Sequence, residues 1–94
     1  MPYFALHCVD KPGALDLRMA TREAHLAYIG TLGTAVRLAG PFLDADGAMC
    51  GSLIVLEAED LAAAEAMSAS DPYRRAGLFE RVEVRAFRAG VGQL

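Results

Sequence analysis

The sequence predicts an α+β fold of order β-α-β-β-α-β: a four-stranded antiparallel sheet with helices on one face, in a single domain over residues 1–94. Three observations predict it. "YFALHCV" is short, rich in β-formers and bounded by a turn, and "LFERVEVRAFR" alternates apolar and charged residues with the period of two of a half-exposed strand. "SLIVLEA" is almost all β-branched residues and leucine, as a central strand needs. Between the strands lie segments of helical spacing, each opened by a residue that can cap.

The first strand is Tyr3 to Val9, closed by the turn-prone "DKPG". Alternation places Phe4, Leu6 and Cys8 on one face and Tyr3, Ala5, His7 and Val9 on the other. "ALDLRMA" reads as a short helical turn. Thr21 then offers a cap hydroxyl for a main helix of about Arg22 to Ala35, with a buried stripe of Leu26, Ile29, Leu32 and Gly33. Gly30 and Gly33 cost helix propensity and are expected to let the helix lie close on the sheet. "AVRLAGPF" is the second strand, "LDADGAMCG" a polar connection and "SLIVLEA" the third strand. Asp60 caps "LAAAEAMSAS". In "DPYRRAG", Asp71 caps a turn of helix, Pro72 takes its first position and Gly77 ends it. "LFERVEVRAFR" is the last strand, and "AGVGQL" is a loose tail.

A right-handed crossover in each half puts both helices on one sheet face, the ferredoxin-like arrangement. The other face has no helices. Phe79, Val82, Val84 and Phe87 are expected to line it, with a bulge shifting the phase between Phe79 and Val82. A second copy of the chain is the simplest cover, giving a homodimer of the dimeric α/β barrel type.

Composition limits the function. The net charge of −3 argues against nucleic acid, which wants a clustered positive surface. The start carries no signal-peptide pattern, and no apolar run reaches the roughly 20 residues of a membrane span. Cys8 and Cys50 stand far apart without a CxxC pattern, so a cytoplasmic protein with two free thiols is expected. His7 and Cys8 point to opposite faces of a strand, and His25 and Cys50 add no ligand spacing, so no metal is expected. GxGxxG and P-loop patterns are absent, and no cofactor is expected.

The candidate site begins with His25, one of two histidines. A helix starting at Arg22 would place it in the first turn, where the dipole favours the neutral, proton-accepting imidazole. Asp71 is a cap residue with a second carboxylate oxygen to spare, able to orient an imidazole and stabilise its cation. Arg18 and Arg22 are either solvated helix-end charges or a guanidinium site for a small anion. Ser52 lacks the GxSxG context of a nucleophile but can form a hydrogen-bonding pocket wall.

The segments "DKPGALDLRMATREAHLAYI", "LAGPF" and "SDPYRRAGLFERVEVRAF", with the Gly-Ser entry to strand three, resemble the YCII-related (YciI-like) family along nearly the whole chain. The most specific part is Arg-x-x-His-Leu with a distant Asp-Pro-Tyr followed by Gly-Leu, and a Gly-Pro between them. The resemblance implies a ferredoxin-like dimer with an active site on a His-Asp pair, here His25 and Asp71, and Ser52 at a nearby polar position. It also implies metal-free acid-base chemistry, since one member dechlorinates a chlorinated hydroxyquinol. Glu23 departs from the proline common before the histidine.

The function expected from these residues is a small cofactor-independent enzyme acting on a small anionic or phenolic molecule by elimination or isomerisation. His25 would move the proton and Asp71 orient it. Arg18, Arg22, Ser52 and Tyr73 would bind substrate. Two other classes stay open: a non-catalytic dimeric ligand-binding or interaction module, and a cofactor-free oxygenase supported by fold analogy alone.

Overall fold

The computed structural model describes all 94 residues. Strand β1 (Tyr3–Asp10) leads to helix α1 (Leu15–Leu32), a 3-10 turn at Gly33–Ala35, and strands β2 (Val36–Leu43) and β3 (Met49–Glu57). Helices α2 (Leu61–Ala69) and α3 (Pro72–Arg75) precede strand β4 (Phe79–Phe87). The sheet order is β2-β3-β1-β4 and each neighbouring pair is antiparallel. This is the predicted ferredoxin-like α+β fold. No helix is long and apolar enough to cross a membrane.

The alternation of β1 sorts its side chains as predicted. Phe4, Leu6 and Cys8 are buried and join Ile54, Leu56, Ala58 and Ala64 in the core beneath the helices. The strand continues one residue further to Asp10, which is also buried on that face. Asp60 caps α2 by accepting from the Ala63 amide at 2.8 Å, and Asp71 caps α3 with Pro72 in its first turn.

Helix α1 departs from the sequence expectation. "ALDLRMA" and "TREAHLAYI" contain no breaker, and they form one helix starting at Leu15, just after Gly13 at φ 68°. Thr21 is interior to it. Its hydroxyl donates back to the Leu17 carbonyl at 2.8 Å, the usual outlet for a threonine inside a helix. His25 therefore lies about three turns in, beyond reach of the terminal dipole, and the dipole argument for a neutral imidazole does not apply. The expected apolar stripe is corrected in part. Ile29 packs against the core and Leu32 is half-buried, but Leu26 is 49% exposed, Gly33 is exposed, and the two fully buried residues of the helix are Arg18 and His25. Neither Gly30 nor Gly33 has a neighbour that a side chain would meet. Gly33, at φ 58°, instead ends the helix.

In β4, Val9 faces Arg81 while Asp10 faces Phe79, so Glu80 is the extra residue of a bulge. The phase shift predicted between Phe79 and Val82 is thus present, but its consequence differs. Phe79, Val82 and Val84 all pack against the core beneath the helices. Of the four residues expected on the open face, only Phe87 lies there, in register with Tyr3 and in line with Arg81, Glu83 and Arg85. The apolar part of the open face lies instead around β2, at Leu38 and Phe42.

Two glycines separate backbone need from propensity. A β-carbon on Gly51 would stand 2.4 Å from the Cys8 carbonyl oxygen, forcing the central strands apart. Gly51→Ala should destabilise the fold by about 1–3 kcal/mol. Gly30 has ordinary helical geometry and open space around it, so Gly30→Ala should stabilise by about 0.5–1 kcal/mol. Urea denaturation of both variants checks the opposite signs.

Candidate active site

Buried polar side chains recur along one side of α1, at Arg18 and His25, seven residues apart. That spacing is two helical turns, so both face the sheet. Between this side of α1 and the strands β2 and β3 lies a cavity of about 170 Å³, closed at one end by Tyr73 of α3. Arg18, Arg22, His25 and Ser52 line its polar part; Leu26, Ile29, Pro41 and Met49 are among its apolar walls. The structure thus brings five of the six sequence-predicted site residues to the cavity surface. The sixth, Asp71, lies behind His25.

His25 Nδ1 lies 2.8 Å from Asp71 Oδ1 and 3.0 Å from Oδ2. A carboxylate can only accept, so the hydrogen-bond pattern assigns the Nδ1 proton to the neutral ring and leaves a lone pair on Nε2. Nε2 has no partner within the chain and is not a sealed polar atom, so it opens onto the cavity that His25 lines. The ring stacks on Tyr73 with centroids 4.0 Å apart and planes 13° apart, which fixes its orientation from a second direction. Asp71 Oδ1 also accepts from the Tyr73 amide at 2.9 Å. The expectation that the two carboxylate oxygens divide capping and orienting is therefore corrected: Oδ1 does both and Oδ2 joins it on the imidazole.

Arg18 is only 2% exposed, which corrects the reading of it as a solvated end charge. Its Nε and Nη2 donate to Asp10 Oδ2 and Oδ1 at 2.7 and 2.9 Å, and Nη2 also donates to Ser52 Oγ at 2.9 Å. The guanidinium carbon stands 4.6 Å from the Tyr73 ring centroid. Nη1 takes no part in the Asp10 and Ser52 bonds; it lies on the cavity side, where Arg18 also meets the Tyr73 phenol. Arg22 is exposed at the cavity mouth.

Burial alone would lower the basicity of Arg18, but the bidentate Asp10 carboxylate more than offsets this and holds it above the usual arginine value. Burial pushes the Tyr73 phenol up, against the pull of the Arg18 and Arg22 charges, so it stays a neutral donor. The Cys8 thiol is pushed up to about 12, first by burial and then by the Asp71 carboxylate. It therefore stays protonated and supplies no nucleophile.

Sequence reasoning missed Asp10, Pro41 and Met49. Asp10 carried a usable signal, since it closes β1 eight residues before Arg18 across the Pro-Gly turn. Met49 carried none. The register steps from Phe42–Gly51 to Leu43–Met49, so Cys50 is an extra residue that turns Met49 toward the cavity. Removing the Asp10 carboxylate strands a buried guanidinium. Asp10→Ala should cost about 3–5 kcal/mol in urea denaturation, and the double variant Asp10→Leu with Arg18→Met substantially less.

Comparison with known proteins places this geometry in context. The YCII-related domain model matches residues 2–88. Protein YciI of Escherichia coli O6:H1 (strain CFT073) is 36% identical over 93 residues, covering 90% of this chain and 95% of that protein. An uncharacterized protein of Haemophilus influenzae is 35% identical, covering 92% and 96%. Among solved structures, 5-chloro-2-hydroxyhydroquinone dehydrochlorinase (TftG) from Burkholderia phenoliruptrix AC1100, in complex with 2,5-dihydroxybenzoquinone, superposes with a TM-score of 0.88. It is 33% identical, covering 94% of this chain and 95% of that one. An antibiotic biosynthesis monooxygenase, 16% identical with a TM-score of 0.56 over 95% and 98% of the two chains, shares the fold alone. With a family model matched over nearly its whole length and relatives above one-third identity, the chain belongs to the YCII-related domain family.

Proposed function

We propose that this protein is an acid-base enzyme acting on a small hydroxylated ring or enol anion, by elimination or isomerisation, with His25 moving the proton. The observation that carries the reading is the buried His25–Asp71 pair whose free Nε2 opens onto the cavity. Likeness to a dehydrochlorinase at 33% identity supports it. Likeness to monooxygenases supports only a common fold, so it gives the oxygenase alternative no further weight.

The step follows from the geometry. Neutral His25 takes a substrate proton on Nε2 and becomes an imidazolium, which the Asp71 carboxylate stabilises through Nδ1–H. The electron pair released on the substrate forms a new double bond as a leaving group departs with its own pair, or is reprotonated elsewhere in an isomerisation. Anionic oxygen on the substrate meets the Nη1 donors of Arg18, and Arg22 at the mouth attracts it. The Ser52 hydroxyl, already accepting from Arg18, is left to donate its own proton inward, as is the Tyr73 phenol.

The test follows chloride release and ultraviolet absorbance with 5-chloro-2-hydroxyhydroquinone and related hydroxylated rings. The wild type should turn over a member of the panel, and His25→Asn should lose about 10²–10⁴ in rate while keeping its circular dichroism spectrum. Asp71→Asn should lower turnover and cost about 0.5–1 kcal/mol or less, because asparagine still caps α3. Full turnover by His25→Asn would refute the role of the pair. Binding without turnover across the panel would favour the ligand-binding module.

The proposal includes a homodimer through the helix-free sheet face. Leu38 and Phe42 are 53% and 38% exposed, Phe42 against His7, and Phe87 adds 45% exposure at the far edge. Light scattering at micromolar concentration should give twice the 10.0 kDa of one chain, and Leu38→Asp should halve it. A monomeric wild type would contradict this.

A further inference from the structure

A second cleft lies beside the main cavity, formed by Asp10, the Pro12–Leu15 turn, Asp44 and Cys50. Met49 is the one residue that lines both spaces. Where Met49 leaves room, the remaining barrier is the Asp10–Arg18 ion pair, with Asp10 on the cleft side and Arg18 on the cavity side. The ion pair is buried and doubly hydrogen-bonded, so it cannot yield without a large penalty. Met49 is different. It is half-buried, unbranched and has three rotatable side-chain bonds, and it is turned inward by the bulge at Cys50 rather than locked by a polar contact.

We infer that Met49 is the specificity-determining partition of the site: it confines the ligand to a single small ring, and the adjoining cleft is the space a ring substituent would enter if Met49 were shortened. The main cavity supports this limit, since about 170 Å³ holds one six-membered ring with its oxygens and little more. Away from the mouth at Arg22, Pro41 and Ile29 are stiff walls, and Met49 is the soft one. The inference rests on the proposed small-ring substrate class and extends it to size selection.

The experiment compares wild type, Met49→Ala and the volume-matched Met49→Leu. The probes are 2,5-dihydroxybenzoquinone and its 3-butyl derivative, titrated by ultraviolet absorbance. Wild type and Met49→Leu should bind the parent at least about tenfold more tightly than the derivative, and Met49→Ala should remove most of that difference. Unchanged discrimination in Met49→Ala would overturn the inference. A crystal structure of Met49→Ala supplies the readout that needs no ligand. One continuous space from His25 to the Pro12–Leu15 turn upholds the partition, and two separate spaces overturn it. Failure of the parent compound to bind any of the three proteins would count against the proposed substrate class, while the cavity readout would still decide the partition.

Discussion

Helix α1 is fastened to the rest of the molecule by buried polar contacts, and the site depends on that choice. Arg18 ties it to β1 and β3 through Asp10 and Ser52. His25 ties it to α3 through Asp71. The Tyr28 hydroxyl ties it to α2 by donating to the Met67 carbonyl at 2.7 Å. Meanwhile Leu15, Leu17, Met19 and Leu26 are exposed. An apolar stripe would tolerate small rotations of the helix about its axis. Directional charge-assisted bonds, each worth about 1.5–3 kcal/mol net, do not. Docking the helix and aiming the imidazole are thus one event.

Asp71 shows the same economy at a single atom. The cap of α3 fixes its Oδ1 against the Tyr73 amide, and the same oxygen receives the imidazole. The carboxylate is therefore held against the imidazole from two directions. Tyr73 is held by the helix that this cap starts, and it supplies both the stacking surface for His25 and the face beneath Arg18. Leu78, fully buried just after Gly77, anchors the segment from its other end. A four-residue helix has little stability of its own, so these anchors, rather than helix propensity, position the pair.

The parts of this structure legible in the sequence are those whose signal is local. Period-two alternation separates the two faces of β1, the Asp60 and Asp71 caps stand where their residue types prefer, and the phase conflict between Phe79 and Val82 demands the bulge that β4 carries, though not the face both residues take. The start of α1 was misread because threonine at a cap and threonine inside a helix look alike in sequence. They differ only in whether a good helical stretch precedes them, and "ALDLRMA" is such a stretch. The buried stripe was misread for a related reason. Ile29 does pack inward, but the fully buried positions of that side belong to Arg18 and His25, because partners distant in sequence satisfy them. Nothing near Met49 announces that an extra residue in the neighbouring pair will reverse its facing, because register belongs to two strands at once.

The site divides into groups that also hold the fold and walls that do not. Arg18, His25, Asp71 and Tyr73 carry the helix contacts, so altering them changes the packing of α1 and the floor of the cavity together. Leu26 stands half-exposed at the edge of the cavity, Pro41 sits on an edge strand exposed along almost its whole length, and Met49 lies at a bulge. None of these three makes a side-chain hydrogen bond or belongs to the central core. Substitutions at such positions, away from close backbone approaches, cost little stability. The shape of the cavity can therefore change while the His25–Asp71 pair and its supports stay fixed. In a fold built this way the walls of the cavity are set independently of the buried polar contacts at its floor.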